Sequence, residues 1–62
     1  MDKYLSIWSA GLPEKYLLPN DIPIPRAGDM IWWDGEDYIV ETIVHDYDDK
    51  RIEICVWKAV KS

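Results

Sequence analysis

The second half of the chain alternates apolar and polar residues with the two-residue period that is typical of half-buried β-strands. This pattern predicts three strands, at Met30–Trp33, Tyr38–His45 and Ile52–Ala59. The dipeptide Asp34-Gly35 between the first two favours a type I′ hairpin turn, because that turn needs a positive φ at both central residues. A second turn is predicted at residues 46–50, so residues 29–60 are expected to form a β-meander.

The alternation breaks inside the second predicted strand. Tyr38 and Val40 lie on one face, and the next position on that face is the polar Thr42. The next large apolar residue, Ile43, would point to the opposite face in a regular strand. A β-bulge near Glu41 and Thr42 would return Ile43 to the core side and coil the strand more strongly. Strong coiling of short strands favours a small half-open barrel.

The first 28 residues predict a leading strand followed by a less regular segment. Tyr4–Trp8 is mostly apolar and β-compatible, and it could cover one face of the meander. Residues 13–18 could form one or two helical turns, since proline suits the first helical position and Pro19 would end the helix at Leu18. So short a helix would be stable only when packed against the rest of the chain.

Three prolines make residues 19–26 an extended connection. One hypothesis is a ligand segment for a proline-binding partner. The favoured interpretation is a stiff strap across the barrel, because Ile22 and Ile24 alternate with prolines and would be buried beneath it.

The turns and core positions follow a pattern in residues 25–57, made of Gly28-Asp29-x-Ile31, Gly35-x-x-Tyr38-x-Val40 and Ile52-x-Ile54-x-Val56. This pattern resembles SH3-like small barrels found in short proteins of phages and bacterial mobile elements, including some head–tail connector components. The resemblance implies an SH3-like barrel fold and an origin in a phage or mobile element. It identifies no functional residues.

A mainly β fold in a single domain, residues 1–62, is therefore expected. The predicted architecture is an SH3-like half-open barrel, or a three- to four-stranded antiparallel meander, with at most one short helical turn near residues 13–18. Residues 1–28 would supply the leading strand and the strap, and residues 29–60 the meander.

Charge is unevenly distributed along this 62-residue chain of net charge −5. Residues 28–49 hold eight acids and no Lys or Arg. Such a segment repels phosphate and anionic lipid, since binding those requires basic side chains. The lone Cys55 excludes an internal disulfide, and no apolar run approaches the ~20 residues that span a bilayer. We expect a location in the cytoplasm, or in the virion if the chain derives from a phage, and no membrane partner.

Candidate chemistry is sparse. His45 beside Asp46 could act as a general base, but no nucleophile pattern accompanies it, and Cys55 in mid-strand is typical of a small packed hydrophobe. Asp46, Asp48 and Asp49 offer oxygen ligands for Ca²⁺ or Mg²⁺, yet the rest of a calcium loop is missing. We therefore predict a protein that is not an enzyme and has no metal or other cofactor.

The aromatic residues are the most informative feature. Trp32 and Trp33 are adjacent in a strand, so they point to opposite faces, and Trp57 has the parity opposite to Ile54 and its apolar neighbours. One face can pack inward; the other must be covered by residues 4–8 or face a partner. The candidate partner-binding residues are Trp32, Trp33, Tyr47 and Trp57, with Cys55 in the same patch.

The expected function is a non-catalytic interaction module that binds another protein or a second copy of itself. One alternative is an acidic inhibitor that occupies a nucleic-acid-binding site of a host enzyme. Its acidic surface would comprise Asp34, Glu36, Asp37, Asp46, Asp48 and Asp49. A less favoured alternative is a nucleic-acid-binding barrel that stacks bases on its aromatic residues. Its basic patch would comprise Lys50, Arg51, Lys58 and Lys61.

Overall fold

Five β-strands make up the fold in a computed structural model, which describes residues 2–9, 11 and 13–59. They are β1 (Asp2–Trp8), β2 (Glu14–Leu18), β3 (Met30–Trp33), β4 (Glu36–Asp46) and β5 (Arg51–Lys58). They form one sheet in the order β2-β1-β5-β4-β3. β1 and β5 are parallel, and the other neighbours are antiparallel. The predicted mainly β, half-open barrel is confirmed.

The two turns of the meander lie where the sequence predicts them. Asp34 and Gly35 have φ angles of 50° and 79°, and the pair Trp33–Glu36 closes the hairpin around them. Two positive φ angles are the mark of the type I′ turn. In the β4–β5 turn, the backbone N–H of Asp49 donates a hydrogen bond to Asp46 Oδ1 at 3.1 Å.

The predicted bulge in β4 is confirmed. Val40 pairs with Val56, and the next pair is Thr42 with Cys55, so Glu41 is the extra residue. The bulge restores the parity of β4, since Ile43 then lies opposite Ile54 and packs against the core.

The short helical turn that the sequence allowed near residues 13–18 does not form, because Glu14–Leu18 is strand β2. All five residues of β2 pair with β1, from Glu14 with Ile7 to Leu18 with Lys3. A helix of this length is marginal on its own, and pairing with β1 satisfies the same backbone groups within the sheet. β1 itself lies between β2 and β5 in the sheet and does not cover a face of the meander.

The core occupies the concave, inner face of the curled sheet. Its buried members come from four of the five strands: Leu5, Leu18, Tyr38, Val40, Ile54 and Val56. The curl brings the two edge strands together, so that the rings of Tyr16 in β2 and Trp33 in β3 have centroids 6.1 Å apart. Side-chain packing, rather than a further pair of strands, therefore closes the barrel.

The proline-rich strap is tied to β1 by one side chain. Lys3 Nζ donates to the backbone carbonyls of Asn20 at 2.8 Å and Ile22 at 2.6 Å. Ile22 packs against the core as expected, but the predicted burial of Ile24 is wrong, because 42% of this residue is exposed.

Candidate interaction surface on the outer face

The outer, convex face of the sheet carries several exposed apolar side chains, and four of them lie side by side across neighbouring strands. Residues that alternate with core residues along a strand point to this face. Cross-strand pairing places Trp8 of β1 beside Trp57 of β5, Trp57 beside Ile39 of β4, and Ile39 beside Met30 of β3. We call these four residues the outer row: Trp8, Trp57, Ile39 and Met30.

Much of the outer row is open to solvent. The exposed fractions of Trp8, Trp57, Ile39 and Met30 are 39%, 46%, 43% and 62%. Because β1 lies within the sheet, it leaves these side chains uncovered. A contiguous group of exposed large apolar residues is typical of an interaction site, whereas single exposed apolar residues are ordinary.

A groove of about 290 Å³ lies beside the outer row. Its lining residues come from β1, β4 and β5: Trp8, Glu41, Thr42, Val44, Cys55 and Trp57. Cys55 is only 7% exposed. Ser6, its partner across the parallel strands, is fully buried, and the Ser6 Oγ atom has no hydrogen-bond partner.

The other end of the outer face is a network of paired charges. Glu53 is within 3.2 Å of Arg51 Nη2 and 3.0 Å of Lys15 Nζ. The Arg51 guanidinium also lies 5.6 Å from the centroid of the Tyr4 ring. Its Nε atom is 3.8 Å from Asp46 Oδ2, which is an ion pair but too long for a hydrogen bond. Arg51 Nη2 also lies 3.7 Å from Asp49 Oδ2. Both cations of this network, Arg51 and Lys15, are therefore paired with acids of the same chain.

The four predicted partner-binding residues are not brought together. Trp57 belongs to the outer row, and Trp32 is exposed on the same face of β3. Trp33 points to the inner face and packs against the core, and exposed Tyr47 lies in the turn at the far end of β4. Only Trp32 and Trp57 therefore share the outer face.

Sequence reasoning missed three members of the outer row. Ile39 was visible in the sequence, because its parity is opposite to that of Tyr38 and Val40. The position of Met30 beside Ile39 can be deduced once the register between β3 and β4 is known. Trp8 had no sequence signal, since its position depends on the parallel pairing of β1 with β5.

The acidic residues form two separate groups. Asp34, Glu36 and Asp37 lie at one end of β4, and the remaining three lie at the other: Asp46, Asp48 and Asp49. Ten residue steps separate Glu36 from Asp46, which is ~30 Å along a strand.

Glu36 already has a cationic neighbour. Lys58 Nζ lies 2.8 Å from Glu36 Oε1, and the Tyr38 hydroxyl donates to Glu36 Oε2 at 3.2 Å. The hydrogen bond from Lys58 lowers the pKa of Glu36, although partial desolvation opposes this shift. The same bond raises the pKa of Lys58.

The predicted basic patch is dispersed in the part that the structure describes. Arg51 and Lys58 lie at opposite ends of β5, and each is engaged by acidic partners. Lys50 lies in the β4–β5 turn, and Lys61 lies outside the described residues.

His45 and Asp46 do not form a dyad, because neighbouring strand residues point to opposite faces. Asp46 instead accepts the hydrogen bond from Asp49 and faces Arg51. Across residues 2–9, 11 and 13–59, no three His, Cys, Asp or Glu side chains are grouped as metal ligands. No helix in the same residues is long and apolar enough to cross a membrane.

Comparison of the chain with protein families, with curated proteins and with solved structures finds no match. The resemblance to SH3-like barrels, the phage or mobile-element origin and the cytoplasmic or virion location therefore stay predictions.

Proposed function

We propose that this chain is a non-catalytic protein-interaction module whose partner, another protein or a second copy, binds the outer row. The observation that supports this most directly is the continuity of the row, which crosses four neighbouring strands with every member more than one-third exposed. Trp is also among the residue types that most often dominate the energy of protein interfaces.

Burial of the two indoles alone would give too little free energy for a micromolar complex. A buried Trp removes roughly 200 Å² from water at about 25 cal/mol per Å². The exposed parts of Trp8 and Trp57 would thus contribute roughly 2 kcal/mol each on burial. A micromolar complex needs about 8 kcal/mol. A partner that binds with micromolar affinity would therefore also have to cover the other members of the outer row, Ile39 and Met30.

The placement of the titratable groups supports the non-catalytic part of the proposal. His45 and Asp46 diverge to opposite faces, and Cys55 is buried between strand neighbours. The acidic residues form two groups at opposite ends of β4, and the described basic residues are dispersed. This placement favours binding through the outer row over both alternatives, since each alternative depends on one extended surface of like charge.

Two isoleucines with nearly equal exposure provide a matched test. Ile39 in the outer row is 43% exposed, and Ile24 in the strap is 42% exposed. Ile39→Thr and Ile24→Thr remove the same apolar group, and threonine keeps the β-branched side chain that suits a strand.

The two variants are compared by sedimentation, to detect self-association, and by affinity capture from the source organism with mass spectrometry. We expect Ile39→Thr to lose the association that wild type shows, and Ile24→Thr to retain it. Equal association by wild type and both variants would refute a role for the outer row.

A further inference from the structure

We infer that the groove beside the outer row binds a lysine or arginine side chain of a different protein, with Glu41 as the counter-charge. The inference rests on the proposed function and specifies the chemistry of the partner. It combines three features of the groove: two indoles, one carboxylate and the lack of a cation among its lining residues.

The indoles come from directly paired residues. Trp8 and Trp57 are partners in the parallel β1–β5 ladder, and both line the groove. An ammonium or guanidinium group within about 6 Å of an indole centroid is attracted by the negative face of the ring. The groove volume of about 290 Å³ is at the lower limit of small-molecule pockets. It therefore suits one long side chain.

Glu41 supplies an uncompensated negative charge. It is the extra residue of the β4 bulge, a feature that often redirects a side chain. It is exposed, and its carboxylate makes no hydrogen bond or ion pair with the side chain or backbone of another described residue. The two described cations of the outer face, Lys15 and Arg51, both pair with Glu53 instead.

At the opposite end of the same face, a cation of this chain already lies between an aromatic ring and a carboxylate. There, Arg51 lies over the Tyr4 ring and pairs with the Glu53 carboxylate. The groove has aromatic rings and a carboxylate of the same kind, but the chain provides no cation from its described residues. A partner can supply the missing group.

A second copy of this chain fits the groove less well than a different protein. In a two-fold symmetric dimer, each copy presents the same face to the other. The outer face would then have to provide the cation as well as the groove, and its described cations are already paired with Glu53.

The test uses the full chain and two small probes, N-acetylarginine amide and the uncharged N-acetylcitrulline amide. Binding is followed through the NMR signals of the four tryptophan indole N–H groups. We expect the arginine probe to shift the Trp8 and Trp57 signals saturably, at millimolar or weaker affinity, and to leave the inward-facing Trp33 signal unchanged. The citrulline probe should cause little shift at the same concentrations.

Two variants separate a specific site from general electrostatic attraction. Glu41→Gln should weaken binding of the arginine probe by about three- to tenfold, as expected for one partly exposed ion pair beside aromatic rings. Asp48→Asn removes one negative charge from the exposed β4–β5 turn and should leave binding unchanged. Equal weakening by both variants, or equal shifts with both probes, would overturn the inference.

The remaining outcomes distinguish the cation site from the proposed function. If Ile39→Thr loses its partner while Glu41→Gln binds the arginine probe as wild type does, the interaction module stands and the cation site is refuted. If Glu41→Gln weakens the probe while Ile39→Thr associates normally, the proposed function falls and the cation site stands. Shifts of Trp8 and Trp57 that grow with protein concentration alone would identify a second copy as the occupant and overturn the assignment to a different protein.

Discussion

Glu36 shows how one residue links the stability of the sheet to pH. Its carboxylate receives hydrogen bonds from Lys58 at the end of β5 and from Tyr38 two positions along β4. The hydrogen bond from Lys58 lowers the pKa of Glu36 in the folded chain. The resulting stabilisation is present above the ordinary Glu pKa of about 4.3 and is lost as pH falls through the lower folded value.

The pH dependence can be measured with Glu36→Gln, which keeps the shape of the side chain and removes its charge. We expect wild type to have the higher urea midpoint at pH 7. The difference should shrink as pH falls from about 4.3 through the lower folded pKa of Glu36, because the carboxyl group is protonated first in the unfolded chain and only then in the folded chain. The effect is small because the pair is largely exposed. A difference that stays constant down to pH 2 would contradict this account.

Lys50 has a backbone conformation that glycine adopts more readily than lysine does. Its φ is 54°, in the left-handed region that glycine adopts readily and that costs other residues about 1–2 kcal/mol. Lys50→Gly should therefore be more stable than Lys50→Gln by about 1 kcal/mol in urea unfolding. Both variants remove the positive charge, so their difference isolates the backbone. Equal stability of the two would show that the turn imposes no such cost.

The strap is the element whose attachment depends most on a single side chain. Removing the Lys3 ammonium in Lys3→Met deletes the hydrogen bonds to Asn20 and Ile22. We expect a loss of about 1 kcal/mol in stability and faster hydrogen exchange of the Ile22 amide, which bonds to Pro19 O within the strap. The Gly28 amide, bonded to Val40 O, serves as an internal reference.

Lys15→Met is the matched control for the strap, since it removes a lysine from β2 that pairs with Glu53 instead. Exchange at Ile22 should not change in that variant. If both lysine variants accelerate exchange at Ile22 equally, the strap is held by something other than Lys3.

The elements differ in how far the sequence determines them. β3, β4 and β5 were predictable because strand alternation, Asp34-Gly35 and the parity break at Glu41 are local signals. β2 was not, because its five residues become a strand only through pairing with β1. The position of Trp8 beside Trp57 in the groove could not be predicted either, because it depends on the pairing of β1 with β5.

At the scale of the whole molecule, one sheet serves two purposes. Its inner face holds the core, which includes Leu5 and Val56 with no exposed surface. Its outer face divides into an end with ion pairs around Arg51 and an end with exposed indoles around Trp57. Fold and proposed function therefore depend on opposite faces of the same strands, and substitutions can separate them.

Leu5→Ala and Ile39→Thr test this separation. A buried Leu→Ala substitution costs about 2–5 kcal/mol, and a core of this size rarely supplies more than ~3–5 kcal/mol. Leu5→Ala should therefore be largely unfolded at 25 °C by circular dichroism. Ile39→Thr changes a partly exposed side chain and should stay within about 1 kcal/mol of wild type in urea unfolding. If Ile39→Thr unfolds as Leu5→Ala does, the outer row is part of the core and its exposure marks no partner.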